Sequence, residues 1–285
     1  MSELIDCIDG LTAEDIIKSI AKTANGLPFY LQTSGGGFCA EFQAVYDAYV
    51  PVIPDAIQLA AQNTMVCGLV EDGVWAKLDT FWVMANGDSP NCHLNWINPA
   101  LYTLTPINAP TFTAWEGYAG DGATEYIDTG YNPTDDGTNY TLNSASFGYY
   151  ARTVGAGAMM GVHNSRSAVA TLNTGNHKVN DITWGDPVPG APAAGLHIYT
   201  RTSAANRDVF INKTKYSSAV ASSILPLTGP HFTILAYNNN GVIQLHTAEQ
   251  CSMAFAGGAL TQADADNLTD RFEAYMDSNG KGVIP

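Results

Sequence analysis

Between Glu116 and Pro133 the sequence permits few folds. A glycine turn at Gly120 to Gly122 precedes a short extended run, and Tyr131-Asn132-Pro133 then ends strand pairing, since proline has no N–H to donate. Ahead of this stretch the chain reads mainly as helices. Behind it, short apolar runs alternate with Gly, Asn and Pro until one last helix. Such evenly spaced short strands argue for an antiparallel sandwich or barrel.

Strands are predicted at 125–128, 144–152, 159–163, 167–173, 177–179, 196–202, 207–211, 232–237 and 243–252. Asn238-Asn239-Asn240-Gly241 is the clearest hairpin signal, because Asn-Gly fills the positive-φ positions of a two-residue turn. Residues 209–213 read as a strand running into a turn, and 187–194, rich in Pro, Gly and Ala, as a surface loop. The last helix is expected over 262–277, with Thr261 and Asp264 at its start and Leu268, Phe272, Tyr275 and Met276 on one face.

The first part of the chain reads differently. An amphipathic helix is expected over 11–24, with Ile16, Ile17 and Ile20 as its stripe, then a strand at 27–31 and a flexible joint at Ser34 to Gly37. Helices follow over 42–50 and 54–70, then a further turn at 74–78. The continuous apolar run at 80–85 reads as a buried strand and 93–97 as a second one. The organisation is thus 1–50 as an N-terminal attachment region, 51–110 as a helical segment with short strands, and 111–285 as a β-sandwich closed by a helix.

Charge narrows the partners. Asp and Glu number 27 against 12 Lys and Arg, a net of −15, and no basic stripe exists. Binding to nucleic acid through phosphates, or to an anionic membrane surface, is not expected. Neither is membrane insertion, since no run approaches the length of a span. Met1 to Gly10 lack the positive start and apolar core of a signal peptide. The five cysteines, Cys7, Cys39, Cys67, Cys92 and Cys251, show no C-x-x-C pair and read as buried free thiols in a reducing cytoplasm.

The run 118–131, the strand Ser146-Phe147-Gly148-Tyr149-Tyr150, the hairpin at 232–241, and 251–260 ahead of a final helix together resemble the laminin-G-like (concanavalin A-like) jelly roll. Their order is similar to a version found in bacteriophage virion proteins, including tail fibres, head fibres and other surface appendages. There, too, a helical segment like 62–78 and a short strand like Leu94-Asn95-Trp96-Ile97-Asn98-Pro99 come first. The resemblance spans roughly residues 50–285. It implies a curved two-sheet sandwich that binds carbohydrate or protein on its concave face or loop edge. It also implies a structural protein of the virion, assembled in the host cytoplasm and joined to capsid or tail proteins through its N-terminal region. A homo-oligomer, trimeric by analogy, is expected. The family's calcium pair sits on adjacent loops; Asp121, Asp128, Asp135 and Asp136 stand in suitable places but no spacing fixes them, so no cofactor is assigned.

Catalytic patterns are incomplete. Gly87-Asp88-Ser89 is similar to the nucleophile block of SGNH esterases, yet the D-x-x-H pairing that would supply the base is missing. Gln244-Leu245-His246 is similar to the Q-x-H strand of alginate-lyase-type jelly rolls, but the companion tyrosine strand lies on the wrong side of it. The E-x-D-x-E strand of sandwich glycosidases is absent, and His163, His177, His197 and His231 lack metal-ligand spacing. The candidate ligand residues are Trp184, Tyr199, Tyr216 and Tyr237, aromatics near loops or strand ends where a ring could stack on a sugar, set against core packing for each. The expectation is adhesion to host-surface glycan or subunit contact, without enzyme activity. Its alternatives are a decoration protein that binds no sugar and a jelly-roll lyase or glycosidase.

Overall fold

The computed structural model describes residues 37–50, 52–163, 167–171, 176–181, 183–185, 193–219 and 229–285. The helix expected at 11–24, the strand at 27–31 and most of the glycine joint lie outside the described residues.

Two helices come first, α1 (Ala40–Ala48) and α2 (Ala56–Glu71). Phe42 and Val45 put one apolar face of α1 inside. α2 begins where the Asp55 carboxylate accepts the Gln58 N–H at 2.9 Å. A disulfide joins Cys39, at the entry to α1, to Cys67 on α2. The reading of every cysteine as a free thiol is corrected here: Cys92 and Cys251 are buried and free, Cys39 and Cys67 are bridged, and Cys7 is outside the described residues.

Strands then follow along the chain: β1 (Leu78–Val83), β2 (Thr105–Ile107), β3 (Thr111–Thr113), β4 (Gly117–Ala119) and β5 (Tyr126–Asp128). Next come β6 (Ala145–Ala151), β7 (Ala158–His163), β8 (Ser167–Thr171), β9 (His177–Asp181), β10 (Gly195–Ser203) and β11 (Asn206–Ile211). The set closes with β12 (Thr214–Ala219), β13 (Thr233–Ile234), β14 (Tyr237–Asn239), β15 (Val242–Gln244) and β16 (Gln250–Gly257), before helix α3 (Gln262–Ser278).

These make two sheets. The first runs β12-β11-β10-β6-β16-β4-β3, with β1 also on β16; the second runs β15-β14-β7-β13-β5-β2, with β8 on β7 and β9 on β8. Every pairing is antiparallel except β14 on β7. The mainly β, antiparallel sandwich expected from the sequence is what the chain forms.

Three layers result. Phe147, Tyr149, Tyr199, Val209 and Ala254 fill the space between the sheets. The alternate residues Tyr150, Ile198, Phe210, Met253 and Phe255 face outward from the first sheet into α1, α2 and α3. A sheet covered on both faces explains why 80–85 reads as an unbroken apolar run.

Several boundaries move. The division expected at residue 111 falls inside the sandwich, because β1 pairs with β16 and β2 with β5. The division at 50 cuts the body too, since Phe42, Val45 and Tyr49 belong to the same helix-side core. Asp79 of β1 binds the segment that follows β5. Its carboxylate accepts backbone N–H groups from Thr138, Asn139 and Tyr140 at 2.8–3.2 Å, and the Tyr131 hydroxyl at 2.9 Å. The strand expected at 93–97 is instead a 3-10 turn, Asn91–His93, and one bridge between Trp82 and Asn95.

The Asn-Gly hairpin forms as expected: Asn240 and Gly241 take φ of 52° and 89°, and Tyr237 pairs with Gln244 across it. The final helix carries the expected capping box of Thr261 and Asp264. Among the described residues no helix is long and apolar enough to cross a membrane.

Candidate functional site

Among the described residues, helices pack on the outer face of the first sheet and none packs on the outer face of the second. On β14 and β15, Tyr237 lies directly opposite Gln244 and Asn239 opposite Val242, so pleating puts all four on one face. The Tyr237 hydroxyl donates to Gln244 Oε1 at 3.0 Å, and Asn239 Nδ2 reaches the same oxygen at 3.4 Å.

β14 runs beside the end of β7, which brings the His163 ring to 5.9 Å from Tyr237. On its other side His163 lies 6.3 Å from the indole of Trp184, just after β9. Trp184 is 46% exposed, and Lys178 Nζ sits 4.5 Å from its ring centre. One indole face thus rests on an ammonium.

The electrostatics follow from burial. Burial holds the Lys178 ammonium below its usual range, with Asp181 opposing and Arg207 adding to the shift. Burial also lowers His163, helped by the Lys178 charge, so its imidazole is neutral near pH 7. The phenol of Tyr237 is raised by burial and stays protonated. The patch therefore offers an indole plate, a neutral imidazole, a phenol and two carboxamides. Sugars are bound by such a mix of flat apolar surface and planar polar groups.

Of the four residues singled out in the sequence, Trp184 and Tyr237 meet here, bridged by His163. Tyr199 does not. It is 1% exposed between the sheets, stacked on Phe147 at 5.2 Å with its hydroxyl 3.1 Å from that of Tyr149. A ring so enclosed cannot touch a ligand: Tyr199 stands at the middle of β10, on the side that points inward. Tyr216 lies on β12, in the other sheet, half-buried against the core. Sequence reasoning missed His163, Lys178, Asn239 and Gln244 as a group. Gln244 had been noticed beside His246, but Leu245 at φ 49° breaks the strand between them, and His246 Nδ1 instead lies 3.1 Å from Glu125 O.

The loop carboxylates suggested for calcium serve their own turns. Asp121 accepts the N–H groups of Ala123, Thr124 and Glu125, which hold its carboxyl well below the usual range. Asp128 lies 3.2 Å from His231 Nδ1, Asp135 accepts Gly229 N–H, and Asp136 accepts Asn132 N–H. Among the described residues no three His, Cys, Asp or Glu side chains gather as a metal site.

No family model and no curated sequence matches the chain. Among solved structures it is similar to the Trypanosoma rangeli sialidase in complex with sialic acid, at 11% identity and a TM-score of 0.42 over 79% of this chain and 40% of that one. It is also similar to the NanB sialidase from Streptococcus pneumoniae, at 11% identity and a TM-score of 0.35 over 44% of this chain and 24% of that one. A third is the botulinum neurotoxin serotype D binding domain, at 7% identity and a TM-score of 0.46 over 69% of this chain and 52% of that one. The chain thus spans about half or less of the length of these proteins. The expectation that this chain has no enzyme activity is withdrawn, since two of these three structures are sialidases.

Proposed function

We propose that this chain is a structural protein of a bacteriophage virion, part of a head or tail fibre or another surface appendage, whose sandwich adheres to host-surface glycan. The virion assignment rests on the resemblance in residues 118–131, 146–150, 232–241 and 251–260. The adhesive role rests on one observation: Trp184 and Tyr237 flank His163 beside Asn239 and Gln244, on a sheet face that none of the described helices covers. One such patch binds weakly, and many copies on a particle make weak binding sufficient, because the second contact is intramolecular. Partners are capsid or tail proteins and further copies of the chain.

Glycan-array screening of the full chain, followed by titration with the best ligand, tests the reading. Trp184→Ala and Tyr237→Ala should each weaken binding about tenfold, the value of one lost stacking contact. Tyr216→Ala should leave it unchanged. Binding that survives both patch variants ends the adhesive reading. A cryo-electron microscopy map of the particle, lacking this chain at its surface, ends the virion one.

The decoration reading, in which the sandwich cements neighbours, has one observation in its favour. Val242 on the edge strand β15 and nearby Leu245 are 58% and 53% exposed, an apolar border suited to a neighbouring subunit.

A further inference from the structure

A second cluster of reactive groups lies between the end of β1 and the start of β4, and nothing in the adhesive reading uses it. The Tyr118 hydroxyl is 2.9 Å from Ser89 Oγ and 2.7 Å from His93 Nε2. The imidazole lies nearly parallel to the phenol ring, with centres 5.8 Å apart. Tyr118 is buried, whereas Ser89 and His93 keep partial solvent access. One phenol thus joins the hydroxyl and the imidazole of two partly exposed residues.

The surroundings hold the serine in place. Cys92 Sγ donates to the Ser89 carbonyl at 2.9 Å, and the Asp88 carboxylate accepts the Asn91 N–H at 3.3 Å. Half-buried Trp115 packs on Gly87, two residues before the serine, so close that any side chain at Gly87 would collide with its ring. Trp115 itself sits at φ 64°, a left-handed conformation that a bulky residue rarely adopts, held by its N–H donating to Asn86 O at 2.9 Å. Strain of this kind gathers at functional sites.

Protonation states suit proton transfer. Burial keeps the His93 imidazole below its ordinary range, so Nε2 can accept a proton at neutral pH. Burial raises the Tyr118 phenol, which therefore stays protonated and can donate. The Cys92 thiol, pushed up to about 12 by burial, is no nucleophile.

We propose that Ser89, Tyr118 and His93 form a proton relay that makes Ser89 Oγ a nucleophile toward carboxylic esters with small acyl groups. Ser89 Oγ attacks the acyl carbon, its proton passes to the Tyr118 oxygen, and the phenol's own proton passes to His93 Nε2. Collapse of the tetrahedral adduct breaks the bond from acyl carbon to alcohol oxygen, and the alcohol leaves with the proton returned through Tyr118. Water then adds to the acyl-serine by the same route, releasing the carboxylic acid and restoring the hydroxyl. The histidine that the sequence lacks near its C-terminus is supplied four residues after the serine, through a tyrosine. Ser89 is the catalytic residue; Tyr118 and His93 act through it.

The full chain is treated with a fluorophosphonate probe and, separately, with p-nitrophenyl acetate. Mass mapping should find the probe on Ser89, and Ser89→Ala should abolish both labelling and turnover. Tyr118→Phe keeps the ring but breaks the relay, and should lower kcat on the order of 100-fold with KM unchanged. His93→Ala should fall similarly and regain rate with added imidazole, which a packing defect would not. No label on Ser89 of the wild-type chain overturns the proposal, whatever the variants do. A labelled Ser89 whose turnover is indifferent to Tyr118→Phe overturns the relay.

Discussion

Asp181→Ala should lower the unfolding free energy by about 3–5 kcal/mol, the usual cost of removing one partner from a buried ion pair. Asp181 Oδ2 lies 3.2 Å from Arg201 Nη2 and 3.3 Å from Arg207 Nη1, and none of the three side chains is more than 2% exposed. The carboxylate ends β9 in one sheet, and both guanidiniums stand on β10 and β11 in the other. Without it, two cations stay in a low-dielectric interior and lose the charge between them. Arg201 Nε still donates to Val179 O at 2.8 Å, which limits the loss but neutralises nothing. Urea unfolding measures the effect. A loss below about 1 kcal/mol would mean that water reaches the triad.

The same change should reach the candidate patch. Asp181 Oδ1 accepts the N–H and hydroxyl of Thr183, and Arg207 Nη1 donates to Thr183 O at 2.9 Å, so the residue before Trp184 is clamped on both sides. Asp181→Ala should therefore weaken glycan binding even where the variant is fully folded.

Acid should destabilise the fold through His197. Burial drives its pKa from the ordinary 6.5 to about 4, against the raising effect of its hydrogen bond to Ala193 O. The folded value lies below the unfolded one, so the unfolded chain takes the proton first as pH falls. Stability from this group is complete above pH 6.5 and is lost on the way down through pH 4, by roughly 3 kcal/mol. The site leaves no room for a charge: Nε2 is 2.7 Å from Ala193 O, the Tyr149 ring is stacked 5.0 Å away, and the Tyr199 hydroxyl is 3.5 Å from Nδ1. Carboxylates and other histidines add to the total acid response, so the test is a difference. His197→Gln should flatten the pH dependence between these limits. Parallel curves for the two chains would rule the mechanism out.

Features set by a few adjacent residues were legible in the sequence. The Asn240-Gly241 turn and the Thr261–Asp264 cap are local chemistry, and both form where expected. β12 was not legible, because the turn before it puts Asn212 and Lys213 at φ 48° and 71°, and lysine does not announce that conformation. The runs at 232–237 and 243–252 break at Leu235 and Leu245, again at positive φ on residues that prefer extended backbone. The membership of β1 in the first sheet depends on pairing Phe81 with Phe255, far along the chain, and no local window carries that. The candidate patch was half legible for the same reason. The residue types at Trp184 and Tyr237 drew notice, but their meeting across His163 needs β7, β9 and β14 already assembled.

The helical roof on the first sheet dictates how the protein can be shortened. A fragment cut at residue 111 to isolate the sandwich would discard α1, α2 and β1. It would strip β1 from Met253 and Phe255 of β16 and leave that apolar face with only α3 of its three helices. That greasy plane would glue fragments to one another, so a minimal folding unit has to start ahead of Phe38, and a fluorescent or affinity fusion belongs upstream of that point.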